Sequence, residues 1–98
     1  MSEDIHQIDL PEELVPGVYA DFASVWHTPS TFTLDFAAVA APPEMQQDET
    51  GFDHSVLKSR VVARVRIPPS QVFEIMKALE LQLSAWEREQ AEQREIED

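Results

Sequence analysis

From Lys58 to Ile67 the chain alternates without a break: Ser59, Val61, Ala63, Val65 and Ile67 fall on one parity, and Lys58, Arg60, Val62, Arg64 and Arg66 on the other. A period of two sends successive side chains to opposite faces of an extended segment, so the run reads as a strand with one apolar and one basic face. Pro68 and Pro69 stop it, because neither can donate to a ladder, and Pro69 suits the first turn of a helix, where a missing N–H does no harm. Beyond them Val72, Ile75, Met76, Leu79, Leu83 and Trp86 recur at three- and four-residue spacing, the stripe of an amphipathic helix. A strand delivered straight into a helix is the unit around which the rest must fold.

The segments before it repeat the strand pattern. From Val18 to His27 the even positions read Val, Ala, Phe, Ser, Trp, which predicts a strand burying Phe22 and Trp26. From Thr31 to Val39, Phe32, Leu34, Phe36 and Ala38 share one side and Thr31, Thr33, Asp35 and Ala37 the other. Thr28-Pro29-Ser30 is too short for a crossover connection, so these two strands pair as an antiparallel hairpin. Ala40 to Leu57, with Pro42, Pro43, Gly51 and several acids, reads as a long acidic loop.

The expected fold is α+β: a three-stranded antiparallel sheet, in the order strand, strand, long loop, strand, followed by one long amphipathic C-terminal helix packed on one face. Residues 1–16 read as a flexible acidic lead-in, 17–90 as the single domain and 91–98 as an acidic tail. Val65, Phe73, Met76, Leu79, Leu83 and Trp86 join the hairpin's Phe22, Trp26, Phe32, Leu34 and Phe36 as core or dimer-packing residues. Phe73 and Leu81 lie off the centre of the helical stripe and widen its apolar arc beyond what one small sheet needs, which points to a homodimer.

Composition narrows the function classes. With 98 residues there is room for one domain, and a hydrophobic share of 43% suffices for a core. Nineteen acidic residues against seven basic ones give a net charge of -12, which repels polyphosphate and anionic lipid and makes nucleic acid an unfavoured partner. No cysteine is present, so disulfides, thiolate nucleophiles and sulfur-bound zinc are excluded. No apolar run approaches the roughly 20 residues that span a bilayer, and no leader is evident, so a cytoplasmic protein is expected.

Lys58, Arg60, Arg64 and Arg66 are the candidate partner-binding residues, four cations on one strand face of an anionic chain. Arginine grips carboxylate or phosphate as a planar fork. The alternative is that Asp21, Asp35 and the acidic loop face these cations as cross-strand pairs. His27, Thr28, Ser30 and Asp35 are the only set that imitates an acid, base and nucleophile, but Asp35 lies well along its strand and no oxyanion loop accompanies Ser30. His6, His27 and His54 lack the spacing of metal ligands, and Asp48, Glu49 and Asp53 lack the order of a calcium loop. No cofactor and no metal is expected.

Those stretches, together with G-V-Y-A-D-F, V-W-H-T-P-S-T-F-T-L-D-F, R-V-V-A-R-V-R-I and K-A-L-E-L-Q-L-S-A-W-E, resemble the domain-of-unknown-function family three-four-six-seven of small bacterial and archaeal proteins. The similarity runs from about Gly17 to Trp86, the loop Ala40 to Leu57 excepted. It implies a three-stranded sheet followed by a helix, plausible as a dimer, and no established activity. The family pattern has Asn where Asp21 stands, Glu where Thr31 stands and Ser where Pro68 stands, so a side-chain cap for the helix is lost here. Three functions stay open: a noncatalytic interaction or adaptor module, a regulatory nucleic-acid binder using the basic strand as a ribbon, and a small enzyme centred on His27 and Asp35.

Overall fold

The computed structural model describes residues 4–97. After a single 3-10 turn at Glu12–Leu14 come strands β1 (Phe22–His27), β2 (Phe32–Val39), β3 (Glu44–Gln47), β4 (Asp53–Val56) and β5 (Ser59–Ile67), then helix α1 (Ser70–Glu97). β1, β2 and β5 form a three-stranded antiparallel sheet in that order, so β2 is central, and β3 and β4 form a separate two-stranded sheet. The fold class is α+β, as the alternating and helical periods require.

The chain divides into two compact units. One takes the residues up to Phe22 with Phe36–Ala63, the other Ala23–Asp35 with Arg64 onward, and each of β1, β2 and β5 contributes residues to both. In the first unit the Asp21 N–H donates to the Ala37 carbonyl at 2.8 Å and the Ala40 N–H to the Lys58 carbonyl at 2.8 Å. The Asp21 carboxylate accepts the Val39 N–H at 2.6 Å, so it serves the backbone rather than a cation. The segment expected as a long loop holds the β3–β4 hairpin, in register from Glu44 opposite Val56 to Gln47 opposite Asp53. Asp48 and Gly51, at φ 88°, make the reversal between those strands.

In the second unit β2 lies between Trp26 of β1 and Arg64 of β5. Both side chains reach Asp35, which is 7% exposed, and Thr33 on the same parity is 1% exposed. The sequence assigned the deepest burial to the opposite parity, yet Phe32 and Leu34 are only half-buried. They face α1 across a groove that Val25, Ile67, Val72, Ile75, Met76 and Leu79 also line. For β1 the parity is therefore the reverse of the expected one: Val25 faces the helix, and Trp26 lies on the Asp35 side. The indole explains the choice, since its N–H needs an acceptor that Asp35 provides and an apolar helix face does not.

Val65, on the parity of the groove-lining Ile67, is exposed, as is Val61 in the first unit. At 28 residues α1 is about 42 Å long, but its groove-lining residues end at Leu79. Helix continues through residues 91–97, read from the sequence as a tail, because Glu, Gln, Arg and Ala are good helix formers. The ends of the expected lead-in and tail, residues 1–3 and 98, lie outside the described residues. At the other end of α1 the Gln71 and Val72 N–H groups donate to the Pro68 and Pro69 carbonyls at 3.0 and 3.2 Å, so backbone acceptors do the work of the missing side-chain cap.

Candidate interaction surface

Two faces of the second unit carry its chemistry. On the first, β1, β2 and β5 bring Trp26, Asp35 and Arg64 together. Arg64 donates through Nε to Asp35 Oδ1 at 2.5 Å and through Nη2 to Oδ2 at 2.9 Å, a forked pair. The Trp26 indole donates to Oδ2 at 3.4 Å, and the guanidinium carbon lies 5.8 Å from the Trp26 ring centre. The Arg64 hydrogen bonds hold the Asp35 carboxyl below the usual carboxylate range; partial burial opposes them, and Trp26 and the Arg64 charge add to them. Asp35 in turn raises Arg64.

This pairing changes what the basic stripe can do. Arg64 is committed to Asp35, and Lys58 lies 3.5 Å from Glu44. Arg60 and Arg66 have no ion pair among the described residues. The residues that imitated a catalytic set are also occupied. His27 stacks on Phe32 with ring centres 5.2 Å apart and planes at 20°, the Thr28 N–H closes the hairpin turn onto the Thr31 carbonyl at 2.9 Å, and the Ser30 and Thr31 hydroxyls are 3.5 Å apart. Among the described residues no group of three potential ligands could hold a metal ion, and no helix is long and apolar enough to cross a membrane.

The other face is the groove between sheet and helix, about 260 Å³ in volume and lined only by apolar side chains. Val72 is half-buried there, whereas Ile75, Met76 and Leu79 keep much of their surface, as do Leu83 and Trp86 further along α1 and Phe73 and Leu81 beside the stripe. Lys77 lies 4.9 Å from the Phe73 ring centre and 3.3 Å from Glu74, so this flank is partly covered by a cation's stem. Phe22, in the first unit, is half-exposed.

In the first unit, Asp48 organises the β3–β4 turn. One carboxylate oxygen accepts the Thr50 N–H at 2.9 Å, the Thr50 hydroxyl at 2.6 Å and the Phe52 N–H at 3.0 Å, while the other lies 2.7 Å from His54 Nε2. The Thr50 hydroxyl first, then His54, and to a lesser degree the Phe52 and Thr50 amides lower its pKa to about 2, against the opposing effect of burial. Sequence reasoning missed this role, although Asp-x-Thr-Gly is a recognisable side-chain-capped turn. It also missed Trp26 as a partner of Asp35.

The family model described as "Protein of unknown function (DUF3467)" matches residues 2–94. No curated protein matches the chain, and no solved structure does.

Proposed function

From the premise that the chain belongs to the DUF3467 family, whose description assigns no activity, we propose that it acts as a noncatalytic interaction module. It self-associates through the apolar surface of α1 and offers the remaining arginines to an acidic protein partner. The observation that carries this reading is the amount of apolar surface left outside. On α1 alone Phe73, Met76, Leu79, Leu81, Leu83 and Trp86 are each more than half exposed, and a contiguous run of large apolar side chains in water marks an interaction surface.

Several features argue against the other two classes. A ribbon that grips phosphate needs cations to spare, and two of the four cations between Lys58 and Arg66 already have carboxylate partners. A net charge of -12 adds long-range repulsion. An enzyme centred on His27 and Asp35 would have to use a carboxylate whose two oxygens both accept from Arg64.

Light scattering of the purified chain is expected to return twice the mass of one chain, and Arg60→Ala with Arg66→Ala to weaken capture of an acidic partner while leaving that mass unchanged. A monomer at all concentrations contradicts the first half of the reading. Salt-sensitive binding of duplex DNA that Arg60→Ala and Arg66→Ala abolish would replace the second half with the nucleic-acid class.

A further inference from the structure

We propose that the apolar groove of the second unit is filled by helix α1 of a second copy running antiparallel, so that Leu79 lies near the two-fold axis and the partner's Leu83 and Trp86 close over Ile75 and Val72. The proposal rests on the self-association reading above and specifies its geometry.

Three observations lead to it. Val72, Met76, Leu79, Leu83 and Trp86 follow alternating spacings of four and three, the spacing of a coiled-coil seam, with Ile75 beside them on the groove side. That seam is open: Met76, Leu79, Leu83 and Trp86 are 58%, 65%, 55% and 56% exposed. After Trp86 it turns polar, with Gln90 and Gln93 at the next two positions, so the apolar part runs from Val72 to Trp86 with Leu79 at its midpoint. A two-fold interface must be self-complementary, and reversal about Leu79 sets Val72 opposite Trp86 and Ile75 opposite Leu83, with Met76 meeting Gln82.

Charge and volume separate the two possible directions. Beyond Trp86 the helix carries Glu87, Glu89, Glu92 and Glu95 against Arg88 and Arg94. A parallel pair would place these acidic halves side by side, where like charges repel; an antiparallel pair sends them outward at opposite ends. The groove begins at Val72, one end of the apolar stretch. Reversal sets the partner's Trp86 beside it, whereas a parallel pair leaves Trp86 against Trp86 and the groove empty. At about 260 Å³ the groove is below the roughly 300–1,000 Å³ of typical small-molecule sites, which suits protein side chains as its filling.

The chain has no cysteine, so Glu89→Cys gives a single spin-label site in the full-length protein. Ten residues either side of Leu79, at about 1.5 Å each, predict an antiparallel label-to-label distance of about 30 Å. A parallel pair, with axes about 8–10 Å apart, predicts a distance within about 15 Å. Leu79→Glu is expected to give a monomer with its helical circular dichroism retained, and Leu81→Glu, off the seam, to remain a dimer. A dimer with the short distance overturns the antiparallel seam and leaves self-association standing. A dimer that survives Leu79→Glu but is lost in Leu81→Glu overturns the choice of face. A monomeric unmodified chain overturns both the seam and the reading it rests on.

Discussion

Asp48 and Asp35 are both carboxylates held below their ordinary pKa, by different means and with different consequences. Asp48 is stabilised as an anion by the Thr50 hydroxyl, His54 and two backbone N–H groups, which take its pKa from 3.8 to about 2. A folded-state pKa depressed below the unfolded one adds stability that is fully present above the unfolded value and is lost as pH falls through the folded one. The turn should therefore hold at pH 5 and weaken between about pH 4 and pH 2. A carbon-13 titration of the side-chain carboxyls is expected to find the Asp48 midpoint near 2, and Asp48→Asn to flatten the stability profile across that window. A midpoint at the ordinary value would mean that the hydrogen bonds do not persist in solution. Asp35 depends first on the fork of one arginine. Arg64→Lys keeps the charge but replaces two fixed donors by a flexible ammonium, so the same titration should move Asp35 up toward the ordinary range, with a change in the emission of Trp26.

Among the elements, the β3–β4 hairpin isolates one backbone effect. Gly51 has φ 88°, and a Cβ built there meets nothing within 4 Å, so the penalty for a side chain is conformational alone. Gly51→Ala is expected to destabilise the hairpin by about 1–2 kcal/mol, and Gly51→Asn by less because Asn tolerates the left-handed region. Faster amide exchange at Gln46 and Met45 in the alanine variant, with α1 unchanged, would check it. This hairpin was illegible in the sequence: Glu44, Gln46 and Gln47 give β3 no apolar alternation to read. β5 and α1 were legible for the opposite reason, a change of period at Pro68-Pro69 that admits one interpretation. β1 stands between them. Its strand character was evident, but Val25 and Trp26 are apolar neighbours on opposite parities, and only the acceptor at Asp35 decides which of them turns to the helix. The candidate surface divides in the same way: four cations on one strand are visible in the sequence, whereas the commitment of Arg64 to Asp35 and of Lys58 to Glu44 is a matter of register across strands.

For the whole molecule, the decisive quantity is apolar area outside the core. The central strand buries the parity of Thr33, Asp35 and Ala37, while the apolar residues on the helix side stay half-covered, an arrangement a lone small domain sustains poorly. If a second copy supplies the missing cover, folding and association are one equilibrium, and the thermal midpoint must depend on protein concentration. Two chains at about 0.7 kcal/mol per residue unfold with a midpoint enthalpy near 140 kcal/mol. A tenfold rise in concentration adds about 1.4 kcal/mol to the dimer. Together these give a rise of about 4 °C per decade in calorimetry or circular dichroism for the unmodified chain. Leu79→Glu, expected to be monomeric, should melt at a lower temperature with no such slope. A midpoint that stays constant over two decades of concentration, in a chain that light scattering shows to be monomeric throughout, would mean that the exposed stripe of α1 is tolerated without a second copy.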